Sequence, residues 1–170
     1  LYLDRTPFYA ESGGQVGDTG HIVTPTGIVD VVDTTYALPG LHRHAYTVRE
    51  GTVEVGQSAD ARIDGERRDA IRRNHTGTHI LHWALREVLG SHVKQQGSLV
   101  APDKLRFDFS HYSAVTPAEL QQIESIVNAE IRRNAEAETR VMDFDAAVAA
   151  GAMALFGEKY DDQVRVLRIG

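Results

Sequence analysis

The chain has 170 residues, enough to bury a real core as one domain or two small ones. Its net charge of −6 excludes a surface that attracts nucleic acid everywhere, but leaves room for a local basic patch. The absence of cysteine excludes a disulfide framework, and no apolar run approaches the length of a membrane span, so a cytoplasmic address is the default expectation.

Leu1-Tyr2-Leu3 opens the chain strand-like and without a start methionine, so an excerpt of a longer protein is expected. Residues 1 to about 64 then read as short strands between turns. Gly13-Gly14 and Gly17-Asp18-Thr19-Gly20 are turn signals. His21-Ile22-Val23, residues 28–32, Ala45-Tyr46-Thr47-Val48 and residues 58–63 are strand-like runs. Short strands at this spacing predict a small β-barrel. Near Asp64-Gly65 the period changes, and residues 67–89 read as one amphipathic helix on the spacing of Ile71, Thr78, Leu81, Leu85, Val88 and Leu89.

Leu105-Arg106-Phe107-Asp108-Phe109 alternates like a strand. Thr116-Pro117-Ala118-Glu119 is a helix start, with a Thr cap, Pro at the first helical position and Glu three residues after the cap. Leu120, Ile123, Val127 and Ile131 give that helix its apolar stripe. A strand over residues 139–144, a short helix from about Asp145 to Ala154 and a strand over residues 164–169 complete the series. The expected fold class is α+β: a β-barrel over residues 1–64, followed by an α+β domain over residues 65–170.

The first helix carries His75-Thr76-Gly77-Thr78-His79. Histidines four apart project from one helix face, close enough for both imidazoles to reach one metal. Zinc takes nitrogen and sulfur ligands at about 2.1 Å for nitrogen, in tetrahedral geometry. Two ligands do not complete such a site, and two helix histidines without context are more often ordinary surface or satisfied polar residues. The glutamate that serves as base in H-E-x-x-H is replaced here by Thr76, which argues against a zinc protease. His82 shares the face but lies about 10.5 Å along the axis from His75, so it reads as a neighbour. Arg62, Arg67, Arg68, Arg72 and Arg73 run into this helix among Asp64, Glu66 and Asp69. They read either as a solvated, salt-bridged helix start or as phosphate contacts.

Four ordered blocks together resemble the editing region of the alanyl-tRNA synthetase family. They are residues 6–20, with Ser12-Gly13-Gly14-Gln15; the histidine helix with Val93-Lys94-Gln95-Gln96-Gly97-Ser98; residues 105–111; and residues 151–160. The resemblance implies the related fold of the threonyl- and alanyl-tRNA synthetase editing domains. It implies hydrolysis of the ester of tRNA(Ala) mischarged with serine or glycine, and a partner in the rest of a synthetase chain with its ATP-dependent aminoacylation domain. It also implies a zinc ion held by His75 and His79, with two further ligands from a C-G-G-T-H segment that this stretch does not contain. Thr78 and Gln95 are implied as catalytic residues, and Gln15, Thr78, Gln95 and Ser98 as substrate-binding ones. Gly77 stands where the family more often has alanine, leaving space beside Thr78. The rival expectations are a tRNA-docking module without hydrolysis and a freestanding trans-editing deacylase.

Overall fold

The computed structural model describes residues 1–152 and 161–169. Contacts divide it into two compact units, Leu1–Val127 and Asn128–Gly170. In the first, β1 (Gly20–Val23), β2 (Gly27–Leu38), β3 (Leu41–Gly51) and β4 (Asp60–Ile63) form one antiparallel sheet in the order β3-β2-β1-β4. Phe8, Ile22, Val29 and Val31 form its core, with Leu1, Leu3, Val53, Ala61 and Ile63 packed around them.

This sheet is open, which corrects the expected barrel. β1 and β4 are four residues each, and β1 pairs only with residues 28–31 of β2. The longer β2 and β3 run on beyond it as a two-stranded ribbon around the Gly40 turn. Closure needs a ladder between the first and last strands. β3 and β4 instead remain the two edges. An irregularity between Val31 and Asp33 shifts the register, so Val29 and Val31 face the core while Val32 turns outward and Thr34 turns in.

Asp64 ends the sheet and starts α1 (Gly65–Leu89), its carboxylate accepting from the Arg67 backbone N–H at 3.0 Å. Ile71, Ile80, Ala84 and Leu85 make the buried face. A hairpin follows: β5 (Lys94–Val100) pairs antiparallel with β6 (Leu105–Ser110). The start of α2 (Pro117–Arg133) covers it, so that Ala84, Leu85, Val93 and Ile123 form a second core with Phe107 and Phe109. The expected cap of α2 is present: the Thr116 N–H donates to Glu119 Oε2 at 2.8 Å, and the Glu119 N–H to Thr116 Oγ1 at 3.3 Å.

In the second unit, β7 (Ala137–Asp143) pairs antiparallel along its length with β8 (Gln163–Ile169), with α3 (Phe144–Ala149) between them in sequence. Residues 153–160, most of the fourth resemblance block, lie outside the described residues. Among those described, no helix is long and apolar enough to cross a membrane.

Candidate functional site

The Gly13-Gly14-Gln15 segment does not float as a surface loop. The Val100 N–H donates to the Gly14 carbonyl at 2.7 Å and the Val16 N–H donates to the Val100 carbonyl at 3.1 Å, so the segment is held at the end of β5 by a single parallel bridge. Gly14 has φ +83°, and a Cβ there would run into the Ser98 carbonyl, 2.9 Å from its carbon. Only glycine allows both the backbone conformation and the approach. Gln15 thereby reaches α1, where its Oε1 lies 2.8 Å from His75 Nδ1 although the residues are 60 apart in sequence.

That contact orders the histidine. An amide oxygen only accepts, so Nδ1 is the donor in this contact, which leaves Nε2 turned away from Gln15. The His75 and His79 rings are 5.2 Å apart and 21° from parallel, as four-residue helical spacing requires. His79 retains exposed surface, but desolvation is the largest cause holding its pKa below the ordinary imidazole value; the charges of His75 and then His82 add to it. His79 is thus held neutral and able to donate a lone pair.

Thr78 is buried on the inner side of α1, and its hydroxyl donates to the Asn74 carbonyl at 2.8 Å. That leaves the oxygen as an acceptor. Asn74 gave no signal in the sequence. Its Nδ2 donates to the Ala101 carbonyl at 2.7 Å, tying the helix to the end of β5. Gln95 and Ser98, half-buried on β5, pair with Phe109 and Phe107. Neither side chain joins the Gln15–His75 bond. Gly77 faces Leu105, whose Cδ2 would lie 3.4 Å from an added Cβ, in van der Waals contact.

His82 leaves the group. It is 7% exposed, packs on the Phe107 ring at 5.0 Å, and its Nε2 has no hydrogen-bond partner. Burial is the main cause lowering its pKa, with a backbone bond at Val93 working against it. The arginine run follows the salt-bridged reading: Arg62 pairs with Asp60 and Arg72 with Asp69 at the surface, while Arg68 finds a buried partner. Arg68 pairs with Asp18, a buried carboxylate, with Nε to Oδ1 at 2.8 Å, and Arg67 donates to the Gly17 carbonyl at 2.8 Å. These contacts hold the Gly17-Asp18 turn on α1.

The donor set fits half of a zinc site. Two imidazoles on one face, one of them oriented by a neighbouring acceptor, are the usual preparation for metal binding. Among the described residues no third His, Asp or Glu joins them.

The first 67 residues match the family model for tRNA synthetases class II (A). The chain is 56% identical over 171 aligned residues to the alanine–tRNA ligase of Myxococcus xanthus, covering 99% of this chain and 19% of that protein. The corresponding enzymes of Ralstonia nicotianae and Aromatoleum aromaticum are 55% and 54% identical over 170 residues, all of this chain and 19% and 20% of their own length. The matches define first a class, the class II tRNA synthetases. Within it, the chain belongs to the alanine–tRNA ligases as one region of them. It spans about a fifth of the length of the curated relatives it matches.

Proposed function

We propose that this region is an editing module that hydrolyses the ester joining serine or glycine to tRNA(Ala), within a cytoplasmic synthetase whose other regions carry out aminoacylation. Residues 1–64 would serve as a β subdomain presenting Gln15, and residues 65–170 as the editing subdomain. The observation that carries the reading is the Gln15–His75 contact, which joins the Gly-Gly-Gln segment to the histidine helix beside β5.

The chemical need for such a module is general. A pocket that accepts alanine cannot exclude the smaller glycine, and a hydrophobic pocket rejects an added hydroxyl only weakly. A second site favours serine by pairing with its hydroxyl, and disfavours alanine because that pairing is lost. Thr78 suits this task. Its proton is committed to Asn74, so its oxygen accepts, and a seryl hydroxyl can donate to it. Gln95 and Ser98 offer an amide and a hydroxyl from the facing strand to position the ester and the terminal ribose. Gln15 keeps the His75 imidazole in one tautomer and orientation. His75 and His79 would hold zinc, which when bound supplies Lewis-acid polarisation of the ester or a lowered pKa for water. Hydrolysis transfers a water hydroxyl to the ester carbon while the bond to the ribose oxygen breaks, and the ribose hydroxyl recovers a proton.

The test is deacylation of Ser-tRNA(Ala) by this chain and by a version extended through a C-G-G-T-H segment, with and without zinc. Zinc-dependent hydrolysis by the extended form, abolished in His79→Ala, is the expected result. Binding of tRNA without hydrolysis in either form would sink the editing reading in favour of a docking module.

A further inference from the structure

A second cluster, unused by the chemistry above, occupies the end of the β5–β6 hairpin away from its turn. His92 precedes β5, while His111 and Tyr112 follow β6. His92 Nε2 and His111 Nδ1 share a hydrogen bond at 2.8 Å, and their rings lie 5.1 Å apart and 19° from parallel. His92 also stacks on Tyr112 at 4.4 Å and 22°. Lys94 and Ser110 complete the lining of an open hollow of about 390 Å³. Tyr112 is 88% exposed. A large ring left in water yet fixed against an imidazole presents a flat surface in one orientation.

The lining narrows the ligand. It has no aliphatic wall for a lipid chain or an apolar peptide side chain. A bare anion would gain nothing from the tyrosine. A nucleotide uses every part: its base has a face to stack on an aromatic ring, an edge to pair with imidazole and hydroxyl groups, and a phosphate to meet one cation. The volume lies within the range of small-ligand sites. At a net charge of −6 the chain is not built to track a phosphate backbone, so stacking must supply most of the affinity.

We propose that this hollow takes one unpaired nucleobase of an RNA strand, stacked on Tyr112 with Lys94 near its phosphate. The choice of RNA rests on the editing reading; the stacking itself does not. β5 carries Lys94 at this hollow and, on its other face, Gln95 and Ser98, whose cross-strand partners Phe109 and Phe107 pack against α1.

The test is a fluorescence-anisotropy titration of this chain with a labelled, unstructured single-stranded RNA decamer at two salt concentrations. Tyr112→Ala is expected to weaken binding roughly ten-fold, the effect of losing one stacked base, whereas Tyr112→Phe stays within about two-fold of the parent. The slope of log affinity against log salt is expected near 0.7, the value for a single neutralised phosphate on a single strand. AMP competing as well as the decamer would show that the site takes free nucleotides and would overturn the strand assignment. No difference between Tyr112→Ala and the parent, or no binding to either, would overturn the site altogether. Because Tyr112 is exposed, its truncation removes no core, and circular dichroism of the variant checks this. Loss of ester hydrolysis with stacking retained would count against the editing reading alone.

Discussion

Replacing Gly14 by alanine probes the junction on which the candidate site depends. Two costs arise together. A left-handed backbone at φ +83° costs an L-residue roughly 1–2 kcal/mol. The new methyl group also meets the Ser98 backbone and Cβ, with the carbonyl carbon at 2.9 Å and Cβ at 3.1 Å, and a strand backbone cannot yield as a flexible side chain can. If the segment lifts off β5 it gives up the hydrogen bonds between Val100 and both Gly14 and Val16, at about 0.5–1.5 kcal/mol each. The total is about 2–5 kcal/mol. Gly13→Ala is the matched control, since Gly13 also has positive φ, at +59°, but nothing lies within 4 Å of its Cβ position. It should cost only about 1–2 kcal/mol. Trp83, the single tryptophan, lies on α1 and reports unfolding of the first unit. With a urea slope of about 2 kcal/mol/M, Gly14→Ala should lower the midpoint by roughly 1–2.5 M and Gly13→Ala by under about 1 M. The His75 imidazole NMR signals should move in the first variant and stay in the second. Equal midpoint losses, or an unmoved His75 in Gly14→Ala, would refute the argument.

Three further outcomes are expected. Gly77→Ala should stabilise the chain by roughly 0.5–1 kcal/mol, because it removes the helix penalty of glycine and Leu105 Cδ2 lies at an acceptable 3.4 Å; a lower urea midpoint would contradict this. Gln15→Leu should weaken zinc binding about 10–100-fold in competition with a chromophoric chelator, by releasing His75 Nδ1, and unchanged affinity would remove Gln15 from the site. His44 is buried, and desolvation above all holds its pKa below the ordinary 6.5, against the opposing bond to the Leu1 carbonyl. The unfolded state therefore binds more protons once pH falls below 6.5, so the stability from neutral His44 is present above that pH and lost on acidification through the folded value. His79 and His82 act in the same direction, so His44→Asn should shrink the acid loss in midpoint between pH 7.5 and 5 without abolishing it. Equal losses in variant and parent would reject this account.

Where local chemistry decides the structure, the sequence was readable. Apolar spacing located α1 within two residues of its start, and Thr116 with Glu119 announced the cap of α2. The strand runs at residues 21–23, 105–109 and 164–169 each lie inside an observed strand. β5 was harder, because Lys94-Gln95-Gln96-Gly97-Ser98 is polar, contains a glycine and breaks register between Gln95 and Gly97. Its strand character comes from what pairs with it on either side. The open sheet was hidden for a similar reason. Periodicity gives strands, but whether the last meets the first depends on their relative lengths and on irregularities such as the one at Val32. Arg68 was ambiguous until Asp18 appeared as its buried partner, 50 residues away. At the candidate site, the histidine spacing was visible from the residues alone, whereas the approach of Gln15 was expected only from resemblance.

The bond between Gln15 and His75 joins a turn near the start of the chain to a helix 60 residues later, and the strand that carries the turn comes later still. Local helix formation can set the two histidines side by side in about a microsecond. The ordering of His75 has to wait until β5 has been synthesised, paired with β6 and received the glycine segment on its edge. A nascent chain thus passes through a stage in which two imidazoles are adjacent but one still rotates freely. In that interval the pair exists before the orientation of His75 does, so its final arrangement is a late event in maturation, set by long-range closure more than by the helix.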